Sequence, residues 1–165
     1  MGAYTIKAVQ KIPATQEVVW DYFSSAANLQ SITPAEMNFN VISQHHGAKI
    51  YAGQIIEYTI TPLLGINMYW MTEITHVRDG EFFADEQRYG PYSMWHHQHH
   101  FKSIPGGTEM IDLIHYKNPL GILGKMANGL FVGNKLRGLF EYRFTKIEEI
   151  FGKWPGGQHS SVEIA

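Results

Sequence analysis

Trp95-His96-His97-Gln98-His99-His100-Phe101 places four histidines within five positions. Imidazole is the side chain suited to both proton transfer and metal ligation near neutral pH. The flanks read as a β-strand, on which alternate side chains face opposite ways. One face carries Trp95, His97, His99 and Phe101; the other carries Met94, His96, Gln98, His100 and Lys102. The first set is aromatic at both ends and is assigned to the interior, while the second ends in a lysine and is assigned to solvent. Two imidazoles among aromatic rings describe the wall of a pocket with a polar patch, the kind of surface that holds a small molecule.

The spacing of His97 and His99 also lets two strand imidazoles converge on a metal ion. If Pro105-Gly106-Gly107 closes a three-residue hairpin, Ile104 pairs with Thr108 and His115 falls opposite His97. His97, His99 and His115 would then form a triad. A one-residue change of register puts Ile114 or Tyr116 there instead and destroys it. Polar pocket lining is the reading preferred for these histidines, with no metal or other cofactor expected. Asp85, Glu86, Asp112 and Glu57 are the carboxylates near strand ends, and alternation leaves open whether Asp85 or Glu86 points inward. Asp112 is expected to pair with His100 in an outward polar ladder. An inward His–Asp dyad would instead be the signature of an enzyme.

The elements that position these residues follow from punctuation and period. Tyr4 to Ile12 alternates as a half-buried strand ended by Pro13, and Thr15 can cap a short helix through Phe23. Asn28 to Pro34 reads as a second helical turn. Strand-like runs follow at Phe39–Gln44, Ile50–Thr61, Asn67–Val77, Glu81–Tyr89, Tyr92–Ile104 and Thr108–Lys117, separated by turn residues such as Asp79-Gly80 and Gly90-Pro91. Their short connections imply an antiparallel meander. From Val132 the apolar positions recur at three and four, giving a long amphipathic helix that Gly152 stops. The resulting domain covers 1–151, and residues 152–165 are expected to be a disordered tail.

Composition narrows the function. The chain has 165 residues, 44% of them hydrophobic, which is the size of one domain with a substantial core. Its formal net charge of -2 and scattered Lys and Arg exclude a phosphate-tracking surface, so nucleic acid is not an expected partner. No cysteine is present, which removes disulfides and thiolate metal sites. No secretory signal or membrane-spanning run is visible, and a cytoplasmic location is expected. Gly121, Gly124, Gly129, Gly133 and Gly138 punctuate the start of the last helix, either for close packing on the sheet or to leave space for a ligand. The apolar segment Pro62-Leu63-Leu64-Gly65-Ile66 could form a lid.

The order β-α-α-β-β-β-β-β-β-α, with its local blocks, resembles the helix-grip fold of the START-like superfamily (SRPBCC), which includes polyketide cyclase/dehydrase-like and lipid-transfer proteins. The blocks are Ile12-Pro13-Ala14 into Val18-Val19-Trp20, Phe83-Ala84-Asp85-Glu86-Gln87 before Gly90-Pro91-Tyr92, the histidine strand, Gly107-Thr108 with Asp112 and Tyr116, and Phe140-Glu141-Tyr142-Arg143. They are similar to a bacterial branch of that superfamily. The resemblance implies an α+β fold, with a curved antiparallel sheet of about seven strands around the C-terminal helix. It also implies a cavity for apolar or amphipathic molecules. Within that frame Trp70, Trp95 and Phe101 are expected against the ligand's apolar part and His97 and His99 at its polar group. His115 joins them if the hairpin register holds, and Leu123, Met126, Ala127 and Leu130 form the helix side. The expected function is binding of a hydrophobic or amphipathic small molecule, as carrier or sensor. The alternatives are a cyclase-, dehydratase- or aromatase-like enzyme with an imidazole–carboxylate relay, and a co-chaperone-type interaction module. The sequence leaves the oligomeric state open.

Overall fold

The computed structural model describes residues 3–43, 49–61, 65–119, 131–157 and 159–165. Strand β1 (Tyr4–Ile12) leads into helix α1 (Gln16–Phe23), the short helix α2 (Ala26–Leu29) and two 3-10 turns. The meander follows: β2 (Asn40–Val41), β3 (Ile55–Ile60), β4 (Met68–Arg78), β5 (Phe82–Tyr89), β6 (Met94–Ile104) and β7 (Gly107–Lys117). Helix α3 (Gly133–Phe151) and β8 (Ser160–Ile164) complete the order. All eight strands form one antiparallel sheet ordered β2-β3-β4-β5-β6-β7-β1-β8. This is the α+β helix-grip arrangement that the element order implies, with one strand more than the seven expected.

The extra strand comes from the segment expected to be a disordered tail. Val162 pairs with Ala8 and Ile164 with Ile6, so β8 closes the free edge of β1. Glycine, proline and serine around 155–161 read as disorder, but β1 leaves a row of unpaired backbone groups that a returning strand can satisfy. Gly152, at φ 94°, ends α3 in a conformation that favours glycine and turns the chain back. Thr15 does occupy the N-cap of α1, although its side chain makes no capping hydrogen bond.

Alternation on the strands sends one face toward α1 and α3. Under α1 and the 3-10 turns the core packs Trp20, Ile32, Tyr58, Trp70, Phe83 and Phe101. Under the first half of α3 it packs Ile6, Ala8, Ile114, Tyr116, Leu136 and Phe140. Helix α3 buries Leu136, Phe140, Phe144 and Ile147 on one stripe, and Arg143 lies on that stripe with them. A Cβ on Gly138 would meet nothing, so close packing does not require that glycine. Gly121, Gly124 and Gly129 lie outside the described residues, as do Pro62, Leu63 and Leu64.

His159 fastens the entry to β8. One ring nitrogen donates to the Gly157 carbonyl and the other contacts the Glu148 carboxylate on α3. These partners raise its pKa above the usual histidine value. A group whose pKa is raised by folding contributes fully below its unfolded pKa, and the contribution fades as pH rises through the folded value. The wild-type protein should therefore melt about 1–2 °C above Glu148→Gln below pH 6.5, as expected of a partly exposed ion pair, and the gap should close in alkaline buffer. Thermal melts of the two proteins across that range check it.

Candidate functional site

The turn between β6 and β7 sets the site. Ile104 pairs with Gly107, so the loop is the two residues Pro105 and Gly106 rather than three. Proline before a glycine at φ 90° is the signature of a type II turn. Gly107 is fixed into the strand because a Cβ there would come 2.1 Å from the Ile12 carbonyl oxygen. The register that follows pairs His96 with His115, His97 with Ile114 and His99 with Asp112. His115 therefore points to the outer face, where its ring lies 6.4 Å from that of His96. The expected triad of His97, His99 and His115 does not form, and His115 does not line the pocket. Its neighbour Asp112, expected on the outside with His100, is buried on the inside.

Strand β5 supplies the other acid. Asp85 pairs with His97 and shares the inward face with Phe83, which settles the choice between Asp85 and Glu86. Glu86 faces outward with Arg88 and His96. The four inward groups form a compact cluster. His97 Nε2 lies 2.8 Å from Asp112 Oδ1 and is hydrogen-bonded to it. His97 Nδ1 lies 3.7 Å from Asp85 Oδ2, and His99 Nε2 is hydrogen-bonded to the same oxygen at 3.2 Å. His99 Nδ1 is also 2.8 Å from Asp112 Oδ1, but off the N–H direction, so this is a charge contact without a hydrogen bond. The two imidazole centroids are 3.8 Å apart, and Phe83 stacks on His99 at 4.1 Å.

Burial sets the electrostatics. Exposure is 7% for each histidine, 4% for Asp112 and 6% for Arg143. Burial pushes the His97 pKa down, and the charge of His99 adds to that. Burial acts the same way on His99, but the close Asp112 carboxylate and the hydrogen-bonded Asp85 outweigh it and raise its pKa. Burial alone would raise the Asp112 pKa; the two imidazoles more than reverse this and hold it well below the usual carboxylate range. Two acidic side chains thus face two imidazoles that their surroundings push in opposite directions, and the Arg143 guanidinium lines the same cavity. Arg143 has its pKa lowered by burial against the pull of Asp112 and Asp85, and its Nε has no hydrogen-bond partner among the described residues. No carboxylate among those residues comes within 4 Å of it. A buried cation without a close partner is costly unless something completes it.

Asp85, His97 and His99 of this cluster line a cavity of about 180 Å³ between the sheet and α3. Trp70, Trp95, His97 and His99 are among the residues that line it. Phe101 does not: it packs in the core against Trp20, Phe23 and Phe83. Leu123, Met126, Ala127 and Leu130 lie outside the described residues. Among the described residues, the helix-side lining comes from Val132, Lys135, Leu136, Leu139, Phe140 and Arg143. Trp70 Nε1 donates to Thr72 Oγ1 at 3.1 Å, so the indole presents its ring without an unmet donor. Tyr92, held by its backbone N–H to Gln87 Oε1, meets Trp70 edge-on and packs at a tilt against Trp95. Arg143 is the residue missed from sequence. Its signal was a charged side chain three after Phe140 and four after Leu139, in the middle of an apolar stripe.

No protein-family model matches this sequence, and neither does any curated protein. Solved structures do. A protein of Chromobacterium violaceum superposes with a TM-score of 0.68 at 12% identity, covering 91% of this chain and 98% of that one. A Thermus thermophilus protein gives 0.65 at 19%, over 88% and 94%. The major latex-like protein 151 of Panax ginseng gives 0.65 at 13%, over 91% and 99%. At such identities the likeness is one of fold: this chain has the START-like helix-grip fold, the architecture of the Bet v 1-like proteins.

The inside–outside assignment has a direct consequence for stability. Asp112→Ala strands two imidazoles in the interior and should cost about 3 kcal/mol. His115→Ala, on the outer face, should change stability by less than about 0.5 kcal/mol. Urea unfolding of both variants reads the difference.

Proposed function

We propose that this chain binds an apolar or amphipathic small molecule in the cavity between the sheet and α3, as a carrier or sensor. One observation carries the reading: a largely apolar cavity lined by a buried guanidinium with an unmet donor and by two imidazoles. A cavity of roughly 150 Å³ accepts a benzene-sized molecule. The space formed by the described residues therefore suits one or two rings. Burial of ligand surface against Trp70, Trp95 and Leu136 drives binding, at about 25 cal/mol per Å² before the costs of association. An acidic group on the ligand gives Arg143 the partner it lacks. The interaction-module alternative called for a filled core, and the cavity counts against it.

A second reading is enzymatic, and the hydrogen-bonded His97–Asp112 and His99–Asp85 pairs inside the cavity favour it. An imidazole oriented by a carboxylate can take a proton α to a carbonyl held in the same space. Deuterium exchange into 2-tetralone, a ketone of fitting size, would then be accelerated by the wild type and not by Asp112→Ala. Equal exchange with and without protein sets this reading aside.

For the binding reading, 2-naphthoic acid should bind saturably with a negative heat-capacity change. Arg143→Leu should weaken it about 10–100-fold, the worth of a hydrogen bond to a charged group. The same variant should leave the affinity for uncharged 2-methylnaphthalene little changed. Calorimetry that shows no saturable binding, or equal losses for both compounds, counts against the proposal.

A further inference from the structure

We propose that Asp85, His97 and His99 form a binding site for a single divalent first-row transition-metal ion in the wall of the cavity, with Asp112 as the outer partner of both imidazoles. This goes beyond the ligand-binding reading and does not rest on it. One donor atom from each of the three residues lies within 4.8 Å of the others. Asp85 Oδ2 is 3.2 Å from His99 Nε2 and 3.7 Å from His97 Nδ1. An ion bound at about 2.0–2.1 Å in tetrahedral geometry holds its ligand atoms roughly 3.3 Å apart. The two Asp85 pairs are within a few tenths of an ångström of that, and the two imidazole nitrogens, within 4.8 Å of each other, close on the ion by side-chain rotation.

The orientation of the rings supports the same assignment. Each imidazole turns one nitrogen toward Asp85 and the other toward Asp112 Oδ1, at 2.8 Å in both cases. At His97 the Asp112 hydrogen bond behind the distal nitrogen fixes the tautomer and aims the Nδ1 lone pair, as outer-shell carboxylates do in metal sites; at His99 the same oxygen supplies a charge contact. His97 and His99 project from one strand and Asp85 from its neighbour, so a rigid sheet holds all three. Two imidazoles and one carboxylate suit zinc, cobalt or ferrous iron better than the oxygen-seeking calcium or magnesium. All three ligand residues line the cavity, so the remaining coordination positions would be reached from it. An anionic oxygen of a bound small molecule could occupy them. A competing arrangement exists on the outer face, where His96 and His115 lie near each other and Glu86 contacts His96.

The test titrates metal-stripped, full-length protein with Co²⁺, followed by visible d–d absorption, and then displaces the Co²⁺ with Zn²⁺. One ion per chain is expected, displaced by Zn²⁺ and bound equally well by the His96→Gln/His115→Gln double variant. Asp112→Asn should weaken binding about 10–100-fold, as loss of an outer-shell partner does, and Asp85→Asn should weaken it further. Absence of d–d bands in the wild type overturns the proposal. So does their loss in the double variant, or full binding by a folded Asp85→Asn. Should Asp85→Asn not fold, ¹⁵N-histidine spectra of the wild type with Zn²⁺ decide the matter. Shifts at His97 Nδ1 and His99 Nε2 support the site, and shifts confined to His96 and His115 overturn it.

Discussion

The pairing of β6 with β7 determines which chemistry faces inward. Pro105 and Gly106 close a two-residue turn, and Gly107 lies so close to the β1 backbone that no side chain fits there. From that point every residue of the hairpin is committed to a face. His97, His99 and Asp112 go in, and His96, His100 and His115 go out. Slipping the register by one would bury Leu113 and His115 and expose Asp112. Two buried imidazoles would then lose the acid that stabilises them, which is a penalty of several kcal/mol for the cluster. Turn chemistry and buried electrostatics therefore select the same register.

Around that hairpin the rest of the molecule is arranged to enclose the cluster without filling the space beside it. Strand β5 adds Asp85 and stacks Phe83 on His99, while β3 and β4 bring Tyr58, Trp70 and Thr72 as a hydrogen-bonded wall. Helix α3 closes the other side with an apolar stripe interrupted by Arg143. An apolar residue would satisfy packing at that position more cheaply than a guanidinium lacking a close acid. The cost is understandable if a ligand's anionic group, arriving in the cavity, completes it.

Much of this was legible in the residues. Alternation in β6 assigned Trp95, His97 and His99 to the pocket, and the three-and-four spacing from Val132 gave α3. Three features were not. A loop of Pro-Gly-Gly can close with two or three residues, and the sequence does not say which. That single residue decides between His115 and Asp112. Phe101 has the same alternation as His99 but lies farther along the strand, beneath α1, where Trp20 and Phe23 cover it. Residues 160–164 have little strand character of their own, and their order comes from the open edge of β1, a partner more than 140 positions away.

The central claim is that the space between sheet and α3 receives a ligand with its polar end at the cluster. Methyl-resolved NMR with 2-naphthoic acid tests this most directly, because Ile55 and Ile56 are neighbours on opposite faces of β3. Ile56 lines the cavity, whereas Ile55 is 38% exposed on the outer face. Contacts from the naphthyl protons to the methyls of Ile56, Ile74 and Leu136, with none to Ile55, are the predicted result. Contacts to Ile55 in place of these three, or contacts to none of the four at saturating compound, would contradict the account.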